Sequence, residues 1–159
     1  MTDTPARPPR DIPRVAAPPP LLYGVPLLAG LAAEHFHPAP FLPPRLTAPL
    51  GLGLVLVGMI GFAAIAAFRR AHTSPNPWRP SAALVTGGPY RLTRNPMYVG
   101  LTALSLGVTC WVNSWWPLLP LPVVLVVMDL GVIRREEAYL ERTFGEAYRT
   151  YRASVRRWV

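Results

Sequence analysis

The residues of this chain best suited to chemistry sit in two short stretches of opposite charge. The first is residues 87–100, GGPYRLTRNPMYVG, where Arg91 and Arg94 stand between a glycine–proline turn and an apolar run. The second is the carboxylate pair Glu136–Glu137, which directly follows another apolar run. Gly87, Gly88 and Pro89 make a turn, and Pro96 suits the first position of a helix. A helix start there turns unpaired N–H groups toward the side of Arg91 and Arg94, which attracts anions. A capped helix anchored by positive charge accounts for the same residues without a ligand. Arginines and glutamates gathered at one face can hold a zwitterion, its carboxylate on the first and its ammonium on the second. Asp129 lies inside the apolar run, seven residues before Glu136 and so on the same helical face about two turns away. An ionisable group in such a run is costly, and it marks either function or an ion pair with Arg94 or Arg134.

Apolar helices must position these groups. The chain has 159 residues, a length that suits one domain, and 51% of them are hydrophobic, yet the net charge is +8. Residues 1–20 hold seven prolines and three arginines, Arg7, Arg10 and Arg14, and read as a disordered or extended tail. Residues 21–33 are apolar but short and contain Pro26; they suit a short first helix, a re-entrant helix or a signal-peptide core. Residues 46–68 carry no charge, end at Arg69 and Arg70, and are long enough for a hydrocarbon core of roughly 30 Å. Gly51, Gly53, Gly58 and Gly61 in this run allow close approach of another helix, or simple flexibility. Residues 97–112 and 115–133 are further apolar runs, separated by Asn113-Ser114, with Trp111, Trp115 and Trp116 placed as an interfacial belt.

All sixteen basic residues are arginine. With four crossings, fifteen fall on one side and only Arg45 on the other, a positive-inside pattern that places both stretches and the C-terminus in the cytoplasm. That distribution follows membrane topology and not nucleic-acid binding. Cys110 is the single cysteine, which excludes an intramolecular disulfide and a cysteine metal cluster. His35, His37 and His72 read as loop residues, and no metal site is expected. After Gly145, Tyr148, Tyr151, Val155 and Trp158 form one stripe and Arg149, Arg152 and Arg156 a second. This reads as an interfacial amphipathic helix on an anionic leaflet.

The stretch GPYRLTRNPMYVG followed by EEAYLERTFGEAYRTYRASVRRW resembles the isoprenylcysteine carboxyl methyltransferase family, which is similar to membrane phospholipid N-methyltransferases. The resemblance covers roughly residues 73–158. It implies S-adenosylmethionine as cofactor, bound on the cytoplasmic side. By position it assigns Leu84, Val85, Tyr90, Asn95, Pro96, Tyr98 and Glu136 to cofactor binding, with Glu136 taking the methionine ammonium. Methyl transfer from a sulfonium needs little acid–base help, so Arg94 and Glu137 are nominated for catalysis as positioning residues, with no nucleophile or metal. Three positions depart from the family pattern. Asn95 and Ala82 stand where the family has histidines, and Val132 where an arginine meets a prenylcysteine substrate. A retained cofactor site with an altered acceptor site is the implication.

The expected fold is therefore all-α: an integral membrane protein of about four transmembrane helices with a C-terminal amphipathic interfacial helix. One domain spans residues 21–159 behind the tail, with helices over about 21–35, 46–68, 96–112, 115–143 and 146–157. The expected activity is S-adenosylmethionine-dependent methyl transfer to a lipid-like or other hydrophobic acceptor, in a bacterial inner (plasma) membrane with both termini cytoplasmic. A nicotinamide-dependent membrane reductase related to sterol reductases and a non-catalytic membrane adaptor are the alternatives. P-loop, protease, zinc and dinucleotide signatures are absent, since GLGLVLVG lies inside an apolar span.

Overall fold

A computed structural model describes residues 12–13 and 15–158. Arg7, Arg10 and Arg14, and most of the tail expected over residues 1–20, lie outside the described residues. The regular structure of the described residues is entirely helical. Helix α1 (Pro19–Phe36) opens on prolines, which fit a first turn where N–H groups lack partners, and it carries Pro26 inside. Helices α2 (Pro44–Gly58) and α3 (Ile60–Arg70) meet at Met59. The Met59 N–H still reaches the Val55 and Leu56 carbonyls at 3.2 Å, so the two form one rod. The rod, Pro44–Arg70, has 27 residues and contains an 18-residue stretch with a mean hydropathy of 2.4. At about 40 Å it exceeds a hydrocarbon core. Among the described residues it is the one helix long and apolar enough by itself to cross a bilayer.

Helix α4 (Pro96–Val112) is a shorter apolar helix. It ends at Asn113, whose left-handed backbone (φ 57°) stops it. The Asn113 side chain accepts the N–H groups of Phe41 and Leu42 and donates to the Leu42 carbonyl, tying the α1–α2 loop to this end. The helix expected over 115–143 is divided. Residues 115–120 form turns, with Pro117 and Pro120 unable to donate backbone bonds. Helix α5 (Leu121–Met128) follows, then a π-helical turn at Asp129–Ile133, then α6 (Arg134–Phe144). Gly145, at φ 53° and ψ −122°, adopts a backbone that side chains disfavour, and it turns the chain into α7 (Glu146–Ser154).

Glycine decides how α4 meets the long rod. A methyl group on Gly100 would lie 2.8 Å from the Gly61 Cα, and one on Gly107 2.9 Å from the Val55 nitrogen. Gly51, Gly58 and Gly61 all face α4, whereas Gly53 faces open space. Close approach is thus the role of three of the four. Helix α1 joins through the Tyr23 hydroxyl, 2.8 Å from Thr102 Oγ1. Tyr23, Tyr98, Val124, Met128, Val132 and Ile133 build one core there.

The end of the supposed tail belongs to that core. Val15 is buried in it, and the Ala16 N–H bonds the Gly131 carbonyl at 3.0 Å. Helix α7 also departs from expectation. It stops at Ser154, and Val155 is extended. Tyr148 and Tyr151 are buried against Ala64 and Tyr90. Its aromatic stripe therefore lies on the protein and not on a bilayer. Apolar side chains are instead exposed along the other helices, among them Leu28, Leu56, Phe62, Val123 and Val126. Outward apolar surface of that extent marks a membrane or partner contact.

Candidate active site

The loop from α3 to α4 reaches the site through a few side-chain anchors. Thr73 Oγ1 accepts the Ala82 N–H and the Tyr139 hydroxyl accepts that of Ser81, each at 2.9 Å. These anchors present Leu84 and Val85 inward. Gly88 takes φ +60° and starts a 3-10 turn, Gly88–Arg91, that buries Tyr90. The Tyr90 ring meets Phe68 edge-on at 5.6 Å, and its carbonyl accepts the Tyr151 hydroxyl at 2.8 Å. Arg91 points outward and Arg94 inward, so the two arginines of the motif part company.

Around these groups lies a cavity with about 800 Å³ of free space, counting its open mouth. Leu84, Val85, Tyr90, Arg94, Asn95, Tyr98, Glu136 and Glu137 all line it. Eight of the nine residues singled out from the sequence thus meet in one place. Pro96, the ninth, is fully buried beneath it as the first residue of α4. Phe68, Asn76, Tyr139, Tyr148 and Tyr151 also stand in the wall. These five were missed because their partners are distant in sequence, and only the Phe-Gly-x-x-Tyr-x-x-Tyr spacing of the last two offered a signal.

The two glutamates differ sharply. Glu136 accepts the Tyr98 hydroxyl on both oxygens, at 2.7 and 2.8 Å. Burial pushes its carboxyl up to about 7; the Tyr98 bond opposes the rise and Glu137 adds to it. Glu137 is buried between two guanidinium groups. Arg157 donates to its oxygens at 3.1 and 2.7 Å, and Arg94 Nη2 stands 3.3 Å away. Arg157 also reaches Asp129 at 3.3 Å, and Asp129 holds Arg134 at 2.7 Å. Burial raises the Tyr90 and Tyr151 phenols, and it lifts Tyr148 to about 12 with help from Glu137. These phenols are neutral walls near neutral pH.

Two readings of spacing change here. Asp129 does not face the cavity with Glu136, because the π turn between them breaks the seven-residue register. It lines a separate apolar groove with Leu130, Arg134 and Trp158, and its role is an ion pair. Asn95 donates its amide to the Arg157 carbonyl at 2.9 Å, which ties the C-terminal segment down.

A further cavity adjoins the first through Asn76, Met97 and Tyr98. Phe62 and Ile65 of α3, Leu101 of α4, Trp78 and the start of α1 line it. A cavity that carries charged groups therefore lies beside a more apolar one, with Asn76, Met97 and Tyr98 in the wall they share.

Comparison with known proteins bears on this site. The family model described as phospholipid methyltransferase matches residues 46–147, well over half of the chain. An uncharacterized protein of Haemophilus influenzae is 38% identical over 63 residues, which is 40% of this chain and 100% of that protein. A protein-S-isoprenylcysteine O-methyltransferase of Schizosaccharomyces pombe is 38% identical over 72 residues, 45% of this chain and 30% of that protein's length. No solved structure matches.

Proposed function

The chain belongs to the phospholipid methyltransferase family, and from that premise we propose that it transfers a methyl group from S-adenosylmethionine to a hydrophobic acceptor at a membrane face. The observation that carries the cofactor is one cavity wall holding two complementary groups. Arg94 is nine-tenths buried, and its Nε and Nη1 have no hydrogen-bond partner among the described residues. Glu136 is a half-buried carboxylate fixed by Tyr98. A carboxylate on Arg94 and an ammonium on Glu136 satisfy both, as a methionine end requires. Leu84 and Val85 supply apolar contact, and the faces of Tyr90 and Tyr148 suit a flat ring or a cationic centre. Pro96 and Asn95 act one step back, by starting α4 and by holding the C-terminal segment.

Bound there, the cofactor supplies a methyl group on a cationic sulfur. The protein contributes position and dryness. Aligning the reacting groups is worth roughly 7–11 kcal/mol in favourable cases. Tyr148 and Tyr151 of α7 close one side against water. The acceptor enters through the adjoining apolar cavity, its chain along Phe62, Ile65 and Leu101 and its head near Tyr98. Helix α1, the rod Pro44–Arg70, α4 and α5 with the turn after it make four crossings, with the cavity and both termini cytoplasmic, in a bacterial inner membrane.

Titration of the purified chain with S-adenosylmethionine, with NADPH as comparison, tests this reading. Saturable binding of the first alone is expected. Binding of NADPH alone, or of neither at millimolar concentration, ends it. Mass spectrometry of lipids from cells fed labelled methionine, with and without the protein, then names the acceptor by its added methyl group.

A further inference from the structure

Arg157 lies outside every helix, yet its contacts converge on the charged wall of the cavity. Its guanidinium takes both oxygens of Glu137, at 3.1 and 2.7 Å, and its remaining nitrogen reaches Asp129 at 3.3 Å. Its carbonyl accepts the Thr93 hydroxyl at 3.0 Å and the Asn95 amide at 2.9 Å. The neighbouring Arg156 carbonyl takes the Arg94 N–H at 2.8 Å. The C-terminal segment therefore grips both the corner that carries Arg94 and the carboxylate that faces it.

A carboxylate and a guanidinium left to themselves form two parallel bonds. Here Arg157 occupies both Glu137 oxygens, and Arg94 keeps a single ion-pair contact at 3.3 Å. Two of the three Arg94 nitrogens are left buried without a partner among the described residues. Burying donors in that state costs free energy that an incoming anionic oxygen relieves.

We propose that Arg157 is a positioning residue that holds Glu137 away from full pairing with Arg94, and so keeps Arg94 available to the carboxylate of the ligand. The proposal rests on the S-adenosylmethionine reading and deepens it: the charge of a residue near the chain's end selects for the amino-acid carboxylate of the cofactor. Without Arg157, Glu137 closes on Arg94 and competes with that carboxylate.

Calorimetry on the full chain in detergent, with S-adenosylmethionine and with decarboxylated S-adenosylmethionine, tests the proposal. The second compound keeps the ammonium and sulfonium and lacks the carboxylate. Wild type should prefer the first by at least about tenfold, as expected of a charge-assisted contact. Arg157→Gln should weaken the first by about tenfold and change the second by less than about twofold. Glu137→Gln should hold or strengthen binding of the first, and Arg157→Gln combined with Glu137→Gln should restore it. Opposite responses from two members of one ion pair are not what loosening of the fold produces, and Glu137→Gln alone carries that test if Arg157→Gln does not fold. Equal losses for both compounds in Arg157→Gln, or a Glu137→Gln loss matching that of Arg157→Gln, overturn the proposal. So does a wild type that binds both compounds equally. A wild type that binds neither overturns the cofactor reading itself, a separate result.

Discussion

Burial raises the Glu136 carboxyl to about 7, so near neutral pH it is divided between two protonation states. A ligand ammonium favours the ionised form, so S-adenosylmethionine affinity should rise as the pH climbs from 6 through 7. The rise should end where the ligand amine itself loses its proton in the alkaline range, as calorimetry at several pH values will read. Glu136→Gln should flatten that profile and weaken binding by roughly ten- to a hundredfold, the worth of a charge-assisted contact. Glu141→Gln should change it little, because Glu141 pairs with Arg152 at the surface, 3.2 Å away. The ligand-free chain should show the opposite sign. A carboxyl whose folded value lies above the ordinary 4.5 contributes stability below 4.5 that is lost as pH rises through about 7. The melting temperature should therefore fall from pH 5 to 8 in wild type, and less so in Glu136→Gln.

Among the elements, the contact between α4 and the Pro44–Arg70 rod carries the plainest mechanical expectation. A methyl group at Gly100 meets only backbone, at 2.8 Å from Gly61 and 2.9 Å from the Gly58 carbonyl, and backbone cannot swing aside. Gly100→Ala should cost about 1–3 kcal/mol in thermal or denaturant unfolding, the usual toll of overpacking. Gly53→Ala meets nothing within 4 Å and should be neutral or stabilise by up to about 1 kcal/mol through helix propensity. Equal effects at the two positions would refute this interface. Gly145 works differently: its φ of 53° lets α7 fold back so that Tyr148 and Tyr151 reach the cavity. Gly145→Ala should reduce cofactor affinity more than overall helix content, as binding and circular dichroism together will show.

At the scale of the whole molecule, orientation can be tested because Cys110 is the one native cysteine. In a Cys110→Ser background, Arg91→Cys should react with an impermeant thiol reagent only from the cytoplasmic side. Leu119→Cys, in the exposed turn before α5, should react only from the other side. Reaction of both from one side would sink the four-crossing arrangement. In that arrangement the exposed apolar side chains of α1, α2, α3 and α5 would face lipid.

Much of this was legible along the chain because it depends on local order. Prolines at helix starts, Gly145 and Asn113 at breaks, and long uncharged runs set α1, the rod and α4 to within a few residues, since each signal acts on its own neighbours. The charged stretches at 87–100 and 136–137 also declared themselves, because apolar helices leave few places for such groups. Other features required distant partners. The π turn moved Asp129 off the Glu136 face, the prolines at 117 and 120 delayed α5, and the α7 tyrosines found Tyr90 and Ala64 instead of a bilayer. An amphipathic stripe states only that one face seeks an apolar surface, and lipid and protein satisfy it equally. Arg157 is the clearest case: read alone it was one more cytoplasmic positive charge. Its contact with Glu137, twenty residues away, exists only because Gly145 reverses the chain and Thr93 and Asn95 hold its carbonyl. Local chemistry determined which groups are present, and the long-range fold alone decided which of them face each other.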